Sequence, residues 1–198
     1  MTTSPLLRGA KARAPILCLA GFMGSGKSTV GTLLARQLAW RFVDLDDRIE
    51  ESAGLGIPQI FERLGEPFFR QLEADQLRAA LGRATELREG TVLALGGGTY
   101  AQPGCPDFLR AAGAAVLWLD CPIEVLLSRC MTMTGRPLFR DEASFRALYA
   151  ERLPSYQAAD CRVDGSGEPA EIVAQILRLG IVASGGTSSH LVVEKPLP

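Results

Sequence analysis

Apolar residues along the chain fall into five short runs, separated by longer stretches in which they recur every three or four positions. The runs occupy residues 15–22 (PILCLAGF), 41–46 (RFVDLD), 91–97 (TVLALGG), 114–120 (AAVLWLD) and, more weakly, 161–165 (CRVDG). Short continuous apolar runs bounded by glycines and acidic residues predict strands buried on both faces. Between the first two runs, Val30, Leu33, Leu34 and Leu38 share one face of a helix. Further helices are predicted at residues 57–64, 67–81 and 145–159, whereas residues 131–141 (MTMTGRPLFRD) show no period, contain Gly and Pro, and predict a mobile loop. Strands alternating with helices define an α/β domain with a five-stranded parallel sheet covered on both faces.

Composition narrows this to one domain. The 198 residues, 47% of them hydrophobic, suffice for a single core, and neither an internal repeat nor a linker divides them. Residues 1–14 carry Arg8, Lys11 and Arg13 without an acid, a faint echo of a transit peptide that is better read as a solvated tail. Residues 181–198 are rich in Gly, Ser and Pro, hold the single histidine, His190, and predict a second flexible tail. The domain expected from these limits is 15–180, with a lid at about 131–141.

Lys and Arg number 21 against 22 Asp and Glu, so no global charge favours nucleic acid or an anionic membrane, and an anion site must be local. The apolar run at 15–23 is far shorter than the roughly 20 residues of a membrane span. Cys18, Cys105, Cys121, Cys130 and Cys161 are scattered, odd in number and never in a CxxC pair, which argues against a disulfide framework or a zinc site and suits a reducing cytosol. A cytoplasmic monomer is the expectation.

The stretch Gly21-Phe22-Met23-Gly24-Ser25-Gly26-Lys27-Ser28-Thr29 has the G-x-x-x-x-G-K-[ST] spacing, placed between a predicted strand and an amphipathic helix. Glycines there let successive N–H groups turn inward around phosphate oxygens, and the following helix adds the positive end of its dipole. Gly24 to Thr29 are therefore expected to bind the phosphates of ATP. Lys27 neutralises β/γ charge, and Ser28 supplies a hydroxyl to Mg²⁺. No Asn-Lys-x-Asp guanine signal is present.

On the acceptor side, the second run ends Asp44-Leu45-Asp46-Asp47, and in a strand Asp44 and Asp46 would share a face at the carboxyl end. One carboxylate would serve the Mg²⁺ shell, Asp44, and the other would orient an acceptor hydroxyl; the competing reading is an acidic cap on a helix starting near Arg48. Arg70 and Glu73 stand three apart, the spacing of a surface ion pair, but Arg70 could also hold a substrate carboxylate with its planar fork. Gly96, Gly97 and Gly98 close the third run and offer a backbone that a ligand can approach.

Taken together, GFMGSGKSTVGTLLARQLAWRFVDLDDRIEESAG, IFERLGEPFFRQLE, LALGGGT, GRPLF and ERLPSY occur in the order and approximate spacing of the shikimate kinase family, which the chain resembles over residues 15–180. The resemblance implies a three-layer P-loop kinase fold of the nucleoside monophosphate kinase type, with a mobile lid. It implies transfer of the γ-phosphoryl group of ATP to the 3-hydroxyl of shikimate, on the route to chorismate and aromatic amino acids, with Mg²⁺ as cofactor. By the same resemblance Asp46, Arg70, Gly97 and Arg152 contact shikimate, Arg136 reaches the transferred phosphate from the lid, and Arg129 and Pro169 pack against adenine. Lys27, Asp46 and Arg136 are the expected catalytic residues. For Arg136 and Arg152 the residues alone are equally compatible with solvated surface arginines. An aminoshikimate kinase and a non-catalytic shikimate sensor are the rival readings. Gly167, where some relatives carry an arginine, and the apolar approach to the lid at 130–134 depart from the family pattern.

Overall fold

The computed structural model describes residues 16–131 and 141–181. Five strands, β1 (Ile16–Ala20), β2 (Arg41–Asp44), β3 (Thr91–Ala94), β4 (Ala115–Asp120) and β5 (Cys161–Asp164), form one sheet in the order β2-β3-β1-β4-β5. Every pairing is parallel. Seven helices occupy the described residues: α1 (Lys27–Leu38), α2 (Leu45–Ala53), α3 (Ile57–Leu87), α4 (Cys105–Ala111), α5 (Ile123–Met131), α6 (Glu142–Gln157) and α7 (Pro169–Arg178). Each strand is shorter than its apolar run by one to three residues.

The two sheet faces bury different partners, as the alternation of side chains along β1 requires. Leu17 and Leu19 pack with Val30, Leu34 and Leu38 of α1 and with Ile172, Val173 and Ile176 of α7. Ile16, Cys18 and Ala20 pack on the opposite face with Leu77 and Leu81 of α3, Leu109 of α4 and Phe145 and Tyr156 of α6. Leu17, Cys18, Leu19 and Leu34 are fully excluded from solvent. The predicted amphipathic face of α1 is thus the face that covers the sheet, and the parallel α/β expectation holds.

Two local expectations change. The helices expected at 57–64 and 67–81 are the two limbs of α3, bent at Gly65, whose φ of 80° and ψ of 168° are non-helical. Only glycine takes that conformation without strain, and Pro67 follows at the first turn of the second limb. The second limb runs on to Leu87, so it outlasts the apolar period seen in the sequence. The second correction concerns α2, which begins at Leu45, so that Asp46 lies in a helical turn rather than on a strand face. Of the expected lid only its edges, Met131 and Asp141, belong to the described residues; Arg136 lies outside them.

Chain order places the site. The path steps from β1 to the sheet edge at β2, returns to β3 beside β1, then crosses β1 to β4. The carboxyl ends of β1, β2 and β3 are therefore neighbours, at the switch point where open α/β sheets bind ligands.

Candidate active site

Between β1 and α1 the loop from Gly21 to Gly26 is built of backbone. Gly24 has φ 80°, and a Cβ added there would lie 2.9 Å from Cys130 Sγ, so conformation and space both demand glycine. Gly26, also left-handed, precedes Lys27, the first residue of α1. The Lys27 ammonium lies across the loop, donating to the carbonyls of Gly21 (2.9 Å) and Phe22 (3.1 Å) and to Ser25 Oγ (3.4 Å). Ser25 is buried, whereas Ser28 and Thr29 are exposed in the first helical turn. No acidic residue belongs to that turn.

The Ser28 hydroxyl donates to Asp44 Oδ2 at 2.6 Å. Asp44 is also the N-cap of α2: its Oδ1 accepts from the Asp46 N–H at 3.0 Å. The capping alternative was therefore right about Asp44, with α2 starting at Leu45 instead of near Arg48, and the cap leaves the second oxygen for Ser28. Asp46 reaches the cleft by another route. From the first turn of α2 its Oδ1 points to the glycine run, 2.8 Å from where a Cβ on Gly96 would stand. Asp47 lines the same cleft, and burial, followed by the charges of Asp44, Glu50 and Glu51, pushes its carboxyl above the usual carboxylate range.

Arg70 makes the ion pair its spacing suggested and more. Its guanidinium donates to Glu73 Oε2 at 2.8 Å and to Glu66 Oε1 at 3.1 Å, and lies 5.0 Å from the Phe69 ring centroid. Glu73 is only 3% exposed, so this is no surface pair. Its other oxygen accepts from the Thr99 hydroxyl at 2.6 Å, which ties α3 to the turn after β3. Arg152, at 6% exposure, is likewise not a solvated arginine. It donates to the Gly97 carbonyl at 3.2 Å, and its guanidinium lies 5.8 Å from the Phe22 ring centroid. Packing leaves no room for side chains on the run: a Cβ on Gly98 would sit 3.0 Å from Arg152 and 3.2 Å from Arg70, and one on Gly97 would sit 3.3 Å from the Met23 amide.

Arg129, near the end of α5, straps two loops together. It donates to the carbonyls of Gly24 (3.3 Å), Gly165 (3.2 Å) and Ser166 (3.2 Å), joining the phosphate loop to the turn that leads into α7 at Pro169. Pro169 is half-buried there.

One cavity of about 300 Å³ gathers Met23, Ser28, Asp44, Asp46, Arg70, Gly96, Gly97, Gly98 and Arg152, and its other wall is Ile57, Pro58, Phe61 and Phe69. The phosphate loop and the acceptor residues thus face one cleft. Glu73, which lines it too, was visible in the sequence only as a partner for Arg70, and the apolar wall carried no signal beyond two phenylalanines eight apart.

A glycine-rich P-loop facing a compact pocket, in which Arg70 and Arg152 stand among Asp44, Asp46, Asp47, Glu50 and Glu73, on a five-stranded parallel sheet has the form of a P-loop kinase of small molecules. The comparisons specify which. The protein-family model for shikimate kinase matches residues 23–179. Shikimate kinases of Aquifex aeolicus and Geobacter sulfurreducens are 41% and 44% identical to it over 160 and 158 residues, covering 80% and 78% of this chain and 92% and 84% of theirs. The structure of shikimate kinase from Acinetobacter baumannii in complex with shikimate superposes with a TM-score of 0.75 at 35% identity, covering 84% of this chain and 93% of that one. A gluconokinase from Sinorhizobium meliloti, at 22% identity and a TM-score of 0.53, shares the fold alone. The chain belongs to the shikimate kinase family and is an ATP-dependent kinase of shikimate.

Proposed function

We propose that the cleft performs this transfer with Asp46, Arg70, Arg152 and the glycine run holding shikimate against the phosphate loop. The observation that carries this reading is the single cavity shared by Ser28, Asp46, Arg70, Gly96 to Gly98 and Arg152. Its size is at the low end of the roughly 300–1,000 Å³ of small-molecule sites, suited to one ring. The two guanidinium groups bind the carboxylate of shikimate, and Phe61 and Phe69 cover an apolar face of the ring. Asp46 then meets the ring hydroxyls, with the 3-hydroxyl directed at the γ-phosphorus.

The loop amides from Gly24 to Thr29 and the Lys27 ammonium hold the β- and γ-phosphates; Lys27 leaves the carbonyls of Gly21 and Phe22 to do so. Arg129 and Pro169 flank adenine. The 3-oxygen forms its bond to phosphorus as the bond from phosphorus to the β–γ bridging oxygen breaks. The hydroxyl proton passes to an Asp46 oxygen, and ADP departs. Arg136, outside the described residues, is the group expected to close over the transferred phosphoryl.

Ser28 and Asp44 would hold Mg²⁺. A hydroxyl and a carboxylate oxygen 2.6 Å apart, at the mouth of the phosphate loop, are the hard donors that this ion combines with phosphate oxygens and water. When bound, Mg²⁺ offsets charge on the β- and γ-phosphates. We further propose that residues 15–180 form the catalytic unit, with a lid at about 131–141, and that it works as a cytoplasmic monomer; one chain supplies all the described lining of the cleft. No helix among the described residues is long and apolar enough to cross a membrane.

The test is ADP release with Mg²⁺·ATP across shikimate, quinate, aminoshikimate and gluconate. Shikimate is expected to give clearly the highest kcat/KM, and an equal response to gluconate would refute the assignment of the pocket.

A further inference from the structure

Tyr156 is a buried polar group beside the pocket that the reaction scheme leaves without a task. Its ring is 1% exposed, in the last turn of α6, one turn beyond Arg152 and on the same helix face. The phenol donates to the Gly97 carbonyl, the same oxygen that accepts from Arg152 Nη1. Two donors, a guanidinium and a phenol, therefore converge on the carbonyl in the middle of the glycine run. Trp118 of β4 stacks on the Tyr156 ring, with centroids 6.2 Å apart and planes 21° from parallel, and fixes its plane.

We propose that Tyr156 is a positioning residue for the shikimate pocket, holding the Gly97 carbonyl so that Arg152 is not consumed by it and the glycine run keeps its place against the phosphate loop. Glycines without side chains cannot fix their own peptide planes, and Gly97 lies against the Met23 amide while Gly98 lies against Arg152 and Arg70. A peptide plane that turned here would displace both. The phenol suits the task because it stays protonated: burial drives its pKa up more strongly than Arg152 draws it back, so it remains a donor throughout the neutral range. With the hydroxyl removed, Gly97 must take its hydrogen bond from Arg152 alone, and that draws the guanidinium away from a bound carboxylate.

This inference rests on the assignment of Arg152 and the glycine run to shikimate, and the experiment separates the two. Tyr156→Phe preserves the ring, the stack on Trp118 and the packing. Steady-state kinetics and thermal melting are measured for wild type, Tyr156→Phe and Arg152→Lys. Loss of one donor to a buried acceptor predicts a shikimate KM raised about tenfold in Tyr156→Phe, with the ATP KM within about twofold of wild type. A shikimate KM unchanged in Tyr156→Phe but raised in Arg152→Lys overturns the positioning role and leaves the pocket assignment intact. Parallel rises in both KM values with a lowered Tm also overturn it, since they mark a packing role only. An Arg152→Lys enzyme with an unchanged shikimate KM removes the pocket assignment, and the proposal with it.

Discussion

The two halves of the cleft are made differently. The phosphate half, on the proposed reading, is nine consecutive residues, Gly21 to Thr29, which offer backbone amides, a helix end and one lysine. The acceptor half is assembled from the first turn of α2, the second limb of α3, the turn after β3 and α6, and it offers side chains around a run of glycine backbone. A half made of contiguous backbone depends on local conformation and tolerates change elsewhere. A half made of side chains from four elements depends on what holds those elements together, and here that is polar. Glu73 bridges Arg70 and Thr99, and the Gly97 carbonyl bridges Arg152 and Tyr156. Every buried side-chain nitrogen and oxygen among the described residues has a partner. That completeness suits a pocket whose cations must stay in place at a cost in desolvation.

Substitutions can break this contrast, beginning where the effect should be greatest. Asp46→Asn keeps the shape but removes the base, and kcat for shikimate should fall about 10³-fold while calorimetric ATP affinity stays near wild type. Near wild-type turnover would remove Asp46 from its role. Arg152→Lys retains charge but not the fork, and the shikimate KM should rise about 10- to 100-fold with the ATP KM unmoved.

Gly96→Ala asks whether the acceptor half is as tight as it looks. The new methyl group would meet Asp46 Oδ1 and Thr99 Oγ1 at 2.8 Å and Glu73 Oε1 at 3.1 Å. Overpacking of this kind costs about 1–3 kcal/mol in stability. Denaturant unfolding should show that loss, and kcat/KM for shikimate should drop about tenfold if the strain reaches Asp46. The smallest effect is expected from Arg129→Lys, which cannot reach the Gly24, Gly165 and Ser166 carbonyls together. Its ATP KM should rise about three- to tenfold and its shikimate KM should not change. A shikimate KM that moved equally would show that the two halves are not separable.

The acidic segment illustrates where reading by period stops. Residues 43–46 alternate like a strand, and the acidic cap that the same residues also suggest does not say that the backbone leaves the sheet at Asp44. The Asp44 side chain makes that exit possible by capping α2, and a cap competes with strand continuation on nearly equal terms until tertiary packing decides. Glu73, legible only as an ion-pair partner of Arg70, and Tyr156, legible only within ERLPSY, show a related limit. A glutamate three residues after an arginine and a tyrosine four after another look like ordinary helix neighbours until burial is known. Only the family resemblance brought Arg152 forward, because an arginine in the middle of a helix has no local mark of being interior.

By itself the sequence determined the five strands, the helix behind the glycine-rich loop and the expectation that this loop takes a triphosphate. Each of these is a short-range matter of side-chain alternation, glycine conformation or helix-end charge. Tertiary structure decided that the sheet runs β2-β3-β1-β4-β5, which brings the ends of β1, β2 and β3 together and lets α3 and α6 bring Arg70 and Arg152 to the same glycine, Gly98. Contacts between residues 26 to 59 positions apart, such as Glu73 with Thr99 and Tyr156 with Gly97, leave no periodic trace in the chain. They exist because burying both faces of the sheet leaves those helices one place to pack.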